Sequence, residues 1–209
     1  MKSQVWLSQS NKSLFSILLA TLLTLTVPWL AMAATITVTT TADEFDTNGD
    51  ACSVREAIQA ANTNADFGGC PAGTWGMDTI NIPTGIYTRT RDWVYNDNNA
   101  TGDLDVVGDA GGVLLNGIGA TSASVVIDAK GMDRVIETGP GVALHLNNLT
   151  LRGGNASGGG GVWFRGTAYV TGTTFSGNVV NVRNQSGGGA QFDGTAYVTG
   201  ATLDRKSVV

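Results

Sequence analysis

A ten-residue segment occurs twice near the C-terminal end of this chain, and its spacing restricts the folds that the chain can adopt. Residues 166–175 read Gly-Thr-Ala-Tyr-Val-Thr-Gly-Thr-Thr-Phe, and residues 194–203 read Gly-Thr-Ala-Tyr-Val-Thr-Gly-Ala-Thr-Leu, an offset of 194 − 166 = 28 residues. The glycines at 159–161 and Phe164 recur at the same offset, as 187–189 and Phe192. A fixed period of this length, with short β-rich segments and glycine turns, is typical of a solenoid whose coils bury apolar side chains against neighbouring coils.

Short apolar segments between turns continue this pattern towards the N-terminus. Ile36 and Val38 share one face of a first strand, and Ile80 and Ile82 share one face of the next. Further short strands are expected at residues 104–106, 113–115, 125–127, 142–146 and 149–151. No segment after residue 64 has a helical period, so the strands should stack in parallel without crossover helices, in a right-handed coil.

One helix is expected immediately before the coils. Ser53 and Glu56 have the spacing of a capping box, in which each side chain accepts a hydrogen bond from the backbone N–H of the other residue. An apolar stripe follows at helical spacing, formed by Val54, Ala57, Ile58 and Ala61. Because an open solenoid end exposes its core, a capping element is needed there. The sequence therefore predicts an all-β fold, a right-handed parallel β-helix with a short N-terminal capping α-helix.

The first 33 residues have the features of a secretory signal peptide. Lys2 and Lys12 precede a mostly apolar stretch, and Ala31-Met32-Ala33 has the small-x-small pattern of a cleavage site. An uncleaved membrane anchor is the alternative, but the stretch is short for a span and contains Pro28. We expect a secreted or outer-surface protein with no membrane span after cleavage.

Cys52 and Cys70 flank the predicted helix. Disulfides persist in exported proteins, and closing this loop should stabilise the fold by about 3 kcal/mol. A structural zinc ion takes four ligands, and no histidine lies near these cysteines in the sequence. We expect a disulfide here rather than two free thiols.

These features divide the chain into four segments. Residues 1–33 are the signal peptide, residues 34–90 hold the cap and the first coil, and residues 91–203 hold further coils that are cut short. Residues 204–209 read Asp-Arg-Lys-Ser-Val-Val and depart from the repeat. Because a common sequencing adapter translates to these six residues, we interpret them as an artefact joined to a truncated gene, the alternative being a natural C-terminus.

The charge of residues 34–203 excludes one class of partner. They contain 8 Lys and Arg against 16 Asp and Glu, a net charge of 8 − 16 = −8. Such a chain repels the phosphate backbone of nucleic acids and the headgroups of anionic lipids, so we expect no nucleic-acid partner.

Several motifs together resemble a known family. Residues 52–58 read Cys-Ser-Val-Arg-Glu-Ala-Ile, followed by Ala-Ala-Asn at 60–62 and Asp-Thr-Ile-Asn-Ile-Pro-Thr-Gly-Ile-Tyr at 78–87. This pattern resembles the CSLREA domain family, with Val54 in place of the leucine in Cys-Ser-Leu-Arg-Glu-Ala. Phe-Ser-Gly-Asn at 175–178 and Gly-Gly-Ala at 188–190 are similar to repeats of polymorphic outer-membrane autotransporter passengers, except that Gln191 replaces an aliphatic residue. Both resemblances imply a secreted parallel β-helix of the pectin-lyase-like fold and imply little about chemistry.

Few residues suggest catalysis. His145 is the only histidine; strand alternation points it away from the core, and no nucleophile motif accompanies it, which favours a solvated strand residue. A lyase of this fold would need carboxylates for Ca²⁺ and an Arg or Lys base. Asp128, Asp133 and Arg134 supply those residue types, although their spacing also suits surface ion pairing. An acidic segment lacks EF-hand spacing and is better explained as a hydrated turn: Asp43, Glu44, Asp46, Asn48 and Asp50.

Aromatic residues complete the list of possible ligand contacts. Trp93 and Tyr95, in a polar loop, could stack on sugar rings, whereas Trp163 and Tyr169 are equally well explained by coil packing. We therefore expect no catalytic, cofactor-binding or metal-binding residue, and a non-catalytic, adhesin-like module that binds carbohydrate or a cell-surface partner. The alternative is a polysaccharide lyase or glycoside hydrolase, with Asp128, Asp133 and Arg134 as its site and Ca²⁺ as its cation.

Overall fold

The computed structural model describes residues 33–91, 98–108, 111–181 and 187–203, and the strands in these residues are short. Trp93, Tyr95, nearly all of the predicted signal peptide and residues 204–209 lie outside the described residues. The strands are β1 (Thr35–Thr37), β2 (Asp78–Ile82), β3 (Gly85–Thr88), β4 (Leu104–Val106), β5 (Val113–Gly117), β6 (Val125–Asp128), β7 (Ile136–Thr138), β8 (Leu144–Asn147), β9 (Thr150–Arg152), β10 (Asn155–Ala156), β11 (Val162–Phe164), β12 (Ala168–Thr171), β13 (Thr174–Ser176), β14 (Val179–Val180), β15 (Ala190–Phe192), β16 (Ala196–Thr199) and β17 (Thr202–Leu203). The helix α1 spans Val54–Thr63, and a 3-10 turn spans Ser122–Ser124.

These strands stack into parallel sheets. Sheet 1 has the order β1-β2-β5-β8-β12-β16, sheet 2 has β4-β7-β11-β15, sheet 3 has β3-β6-β9-β13-β17, and β10 pairs with β14. Along the chain, each coil passes through sheet 1, then sheet 3, then sheet 2. The predicted parallel β-helix is confirmed. Sheets 1 and 3 both continue from strands before residue 90 to strands after it, because β2 pairs with β5 and β3 pairs with β6.

The coils differ in length although their strands stay in register. Thr79 pairs with Leu114, Leu114 with His145, His145 with Tyr169, and Tyr169 with Tyr197. These pairs give coils of 114 − 79 = 35, 145 − 114 = 31, 169 − 145 = 24 and 197 − 169 = 28 residues. The 28-residue period expected from the repeat therefore holds only for the last coil. The turns between sheets absorb the difference, as is usual for insertions in solenoids.

The core consists of stacked rows of inward side chains from all three sheets. Sheet 1 contributes Ile36, Ile80, Leu115, Leu146 and Val170; sheet 3 contributes Tyr87, Ile127, Leu151 and Phe175; sheet 2 contributes Leu104, Ile136 and Val162. Burial of one such aliphatic side chain stabilises the fold by about 1.5–3 kcal/mol. Because equivalent positions of successive coils stack on one another, the core extends along the coil axis.

Helix α1 packs against β2 and β4 at the N-terminal end of the stack. Both bonds of the capping box are present: the Glu56 N–H donates to Ser53 Oγ at 3.1 Å, and the Ser53 N–H donates to Glu56 Oε2 at 3.0 Å. The helix ends at Asn64, which adopts the left-handed conformation with φ of 51°. The predicted disulfide between Cys52 and Cys70 is confirmed and joins the segments on either side of the helix.

Arg55, in the first turn of this helix, is buried and organises the turn that precedes β4. Its guanidinium donates to Asp43 Oδ1 at 2.7 Å and to the carbonyl oxygens of Asn99, Gly102 and Asp103, each at 3.0 Å. In the part of the chain that the structure describes, no helix is long and apolar enough to span a bilayer.

Candidate functional site

The outward face of sheet 1, here called the ladder face, carries two rows of side chains that run along the coil axis. Because side chains alternate along a strand, each of these strands presents two outward positions. The aromatic row is Thr79, Leu114, His145, Tyr169 and Tyr197. The amide row is Asn81, Asn116 and Asn147, continued by Thr171 and Thr199.

The rings of the aromatic row stack on one another. His145 and Tyr169 have ring centroids 4.1 Å apart at an interplanar angle of 12°, and Tyr169 and Tyr197 are 4.9 Å apart at 11°. This spacing matches the distance between neighbouring strands, about 4.8 Å, so in-register pairing produces the stack. The rings cover each other's faces, which leaves ring edges and phenol groups as the exposed surface; Tyr169 is 38 % and Tyr197 57 % exposed.

The amides of the second row bond to each other. Asn116 Nδ2 donates to Asn81 Oδ1 at 2.9 Å, and Asn147 Nδ2 donates to Asn116 Oδ1 at 2.8 Å. An amide side chain has two N–H donors and two acceptor lone pairs. The ladder uses one donor and one lone pair of Asn116, so one of each remains for a ligand. These bonds also fix the amide orientation, which lowers the entropy lost when a ligand binds.

The ladder face is uncharged in every described strand of sheet 1. Its outward residues are Thr, Asn, Leu, Tyr and the single His145. Burial lowers the pKa of His145 below its ordinary value, so its imidazole is neutral at neutral pH. The other two sheets differ: Glu137 faces outward on sheet 2, and the ion pair of Asp128 and Arg152 faces outward on sheet 3.

A charged network surrounds Arg134 beside sheet 2. Arg134 Nη1 donates to Glu137 Oε2 and, at 3.1 Å, to Asp103 Oδ2, while Nη2 donates to the carbonyl of Gly158 at 3.2 Å. The indole of Trp163 packs against two guanidinium groups, with its ring centroid 5.0 Å from that of Arg134 and 5.2 Å from that of Arg165. These groups therefore satisfy one another, as expected for a structural network.

The three residues predicted for a lyase site do not form one cluster. Asp133 Oδ1 accepts a hydrogen bond from the backbone N–H of Arg134 at 2.7 Å. Asp128 instead pairs with Arg152, whose Nη2 lies 2.8 Å from Asp128 Oδ2. The guanidinium of Arg134 has Asp103 and Glu137 as its ion-pair partners.

Two buried groups in and beside this network, Asp103 and Arg89, have strongly shifted pKa values. Burial, followed by the neighbouring Asp133, raises the pKa of Asp103 to about 6, against the opposing charges of Arg134 and Arg89. Burial and the charge of Arg55 lower the pKa of Arg89 to about 10. A carboxyl group that titrates near neutrality suits acid–base chemistry, but Asp103 is only 5 % exposed and does not reach solvent as a catalytic group would.

The acidic segment near the N-terminus supports the cap. Burial tends to raise the pKa of Asp43, but its hydrogen bond to Arg55, the charge of that residue and the amides of Thr90 and Arg91 outweigh this effect and lower it. Glu56 Oε1 accepts from the backbone N–H of Asp46 at 3.3 Å. Among the described residues, no three His, Cys, Asp or Glu side chains converge closely enough to hold a metal ion.

The sequence alone does not identify the ladder face as a site, although the repeat contains part of the evidence for it. Tyr169 and Tyr197 occupy equivalent positions of the 28-residue repeat. The alignment of His145 with them follows only from the 24-residue coil between β8 and β12. Trp163 lies on sheet 2, away from the ladder face, and packs against Arg134 and Arg165.

Comparison of the chain with models of protein families, with curated proteins and with solved structures returns no match. The assignment of a function therefore rests on the residues described above.

Proposed function

We propose that this chain is a non-catalytic, exported β-helix module, adhesin-like, that binds carbohydrate or a cell-surface partner through the ladder face. The ladder face carries the proposal, because it stacks three asparagines on β2, β5 and β8 and three aromatic rings on β8, β12 and β16, each at one strand spacing. The signal-peptide features of residues 1–33 support export. The motif at 52–58 supports membership of the CSLREA domain family, with which the fold agrees.

Repetition favours an extended ligand over a small molecule. A solenoid presents a long, rigid surface whose groups each make a weak contact, and affinity accumulates along it. The amides of Asn116 and Asn147 are held by the ladder hydrogen bonds before any ligand arrives. The phenol groups of Tyr169 and Tyr197 lie on the next two strands of sheet 1, β12 and β16, beside Thr171 and Thr199. Amide, phenol and threonine hydroxyl groups on one surface are suited to the hydroxyl groups of sugars.

Polysaccharide lyase or glycoside hydrolase activity is the second candidate, and one observation favours it. Asp103, with its pKa raised to about 6, lies beside Arg134, and Arg134 stacks on the half-buried Trp163. Against it, the donors of Arg134 are engaged by carboxylates and by the carbonyl of Gly158. The described surface residues therefore support a binding function better than a catalytic one.

Binding of the purified protein to immobilised polysaccharides and to whole cells tests the leading function. We expect wild type to be retained and Tyr169→Ala to lose about tenfold or more in apparent affinity, because the middle ring of the aromatic row is removed. Ile86→Ala is the matched control, since Ile86 is 53 % exposed on sheet 3, and it should bind as wild type does. Equal binding by all three proteins would contradict a role for the ladder face.

A parallel assay separates binding from catalysis. The protein is incubated with polygalacturonate and Ca²⁺, and ultraviolet absorbance reports any unsaturated uronate. We expect none. A signal that disappears in Arg134→Ala would establish the lyase instead.

A further inference from the structure

The charges of this protein are unevenly distributed around the coil axis. Residues 34–203 have a net charge of −8, yet the outward positions of sheet 1 carry no acidic or basic side chain in the strands that the structure describes. Recognition of an acidic glycan takes Arg, Lys or bound Ca²⁺, and recognition of a cationic glycan takes carboxylates. The ladder face offers none of these groups.

From this distribution, and resting on the binding function proposed above, we infer that the ladder face takes an uncharged polysaccharide that runs along the coil axis, across the strands, with successive sugar residues on successive coils.

The direction follows from the number of contacts on each path. Along a single strand such as β12, a ligand meets only two outward side chains, Tyr169 and Thr171. Along the axis it meets a new pair on each coil, at a spacing of about 4.8 Å. That spacing is close to the length of one hexose unit in an extended glycan chain. An axial ligand therefore gains two further uncharged side chains on each coil, whereas a ligand along one strand does not.

The distance between the two rows suits the width of a sugar ring. A rise of about 3.3 Å per residue places the aromatic row and the amide row about 6.6 Å apart. On β5 and β8 the hydroxyls of a sugar reach the free donors and acceptors of Asn116 and Asn147. On β12 and β16 a sugar lies beside the phenol group of a tyrosine and the hydroxyl of a threonine. A neutral hydroxyl can both donate to and accept from an amide, so no charge is needed on either side.

Isothermal titration of the full chain with two groups of soluble polysaccharides tests this inference. The uncharged group is mixed-linkage β-glucan, arabinoxylan and galactomannan; the acidic group is polygalacturonate and alginate. We expect binding to at least one uncharged polysaccharide, with an affinity that does not change when salt is raised, because no ion pair is formed.

Isosteric charge variants locate the binding. Asn116→Asp places a carboxylate in the amide row and removes a donor, and it should weaken binding by about tenfold. Gln191→Glu makes the same chemical change on the outward face of sheet 2 and should leave the affinity unchanged. Thr171→Asp adds a carboxylate at an exposed position of the same row, so it gives the same test if Asn116→Asp fails to fold.

The outcomes distinguish this inference from the function on which it rests. Salt-sensitive binding to the acidic group that Asn116→Asp and Thr171→Asp leave intact would overturn the inference while the binding function stands. Binding to cells alone, abolished by Tyr169→Ala, would overturn the inference in favour of a protein partner. No binding to any polysaccharide or cell would overturn both.

Discussion

At the residue scale, each side chain of the motif at 52–58 has a structural task in the cap. Cys52 forms the disulfide, Ser53 and Glu56 cap the helix, and Ile58 lies in the core. The Arg55 guanidinium donates hydrogen bonds to three backbone carbonyls of the turn before β4. The resemblance to the CSLREA signature is thus a resemblance of folding determinants, and none of these residues lies on the ladder face.

Loss of Arg55 should cost more than loss of any exposed arginine. Arg55→Met leaves Asp43 as a buried, unpaired carboxylate and leaves the three carbonyls without a donor, so we expect a loss of about 3–5 kcal/mol in unfolding free energy. Arg152→Met breaks another Arg–Asp pair whose arginine is 41 % exposed and should cost less than about 1 kcal/mol. Denaturant titrations of both variants compare the two losses, and equal losses would show that Arg55 is not a buried organiser.

Asp103 should make stability depend on pH. Burial raises its pKa from 3.8 to about 6, so the folded protein holds this proton more tightly than the unfolded chain does. The resulting stabilisation is fully present below about pH 4 and is lost as pH rises through about 6. Relative to Asp103→Asn, wild type should lose about 1–3 kcal/mol between pH 4 and pH 7. Urea denaturation across this range measures the difference, and curves that stay parallel would contradict the shifted pKa.

At the element scale, stacking of backbone on backbone explains the repeated glycine triplets. The Gly160 N–H donates to Gly187 O at 3.1 Å, and the Gly161 N–H donates to Gly188 O at 2.9 Å. A Cβ atom on Gly161 would collide with the carbonyl oxygen of Gly189 in the next coil. The triplets therefore allow a close approach between coils, which side chains would prevent.

Helix α1 should protect the first coil, which Ile58 tests. Its side chain is fully buried, so Ile58→Asp loses about 1.5–3 kcal/mol of apolar burial and adds the cost of a buried carboxylate. Ile86→Asp makes the same change at a position that is 53 % exposed and should cost much less. Thermal unfolding compares the two variants. Midpoints that fall by the same amount would argue against α1 as the cap of the core.

At the scale of the whole molecule, local patterns predicted the fold, and long-range register limited the prediction of the site. The repeat at 166–203 and the capping box at 53–56 are local signals, and each leads to an observed element. The pairing of Arg134 with Asp103 spans 31 residues, and the stacking of His145 on Tyr169 spans 24. Neither follows from a 28-residue period, because the turns between sheets differ in length. For the same reason the sequence does not show that Asp128 pairs with Arg152, 24 residues away, rather than with Arg134.

The outward faces of the three sheets also carry different kinds of side chain. Sheets 2 and 3 carry the outward ion pairs, whereas sheet 1 carries stacked rings and linked amides. This separation places the single histidine of the chain inside the proposed binding surface.

The most direct measurement is therefore the imidazole spectrum of His145 by nuclear magnetic resonance, recorded while an uncharged oligosaccharide is added. We predict that the ring signals shift with saturation and that the pKa of His145, already lowered by burial, falls further, because the bound sugar removes more water from the ring. The indole N–H of Trp163, assigned with Trp163→Phe, should not move, since it bonds to Asp193 on sheet 2. Saturable binding that shifts the Trp163 signal and leaves His145 unchanged would contradict the ladder face as the binding surface.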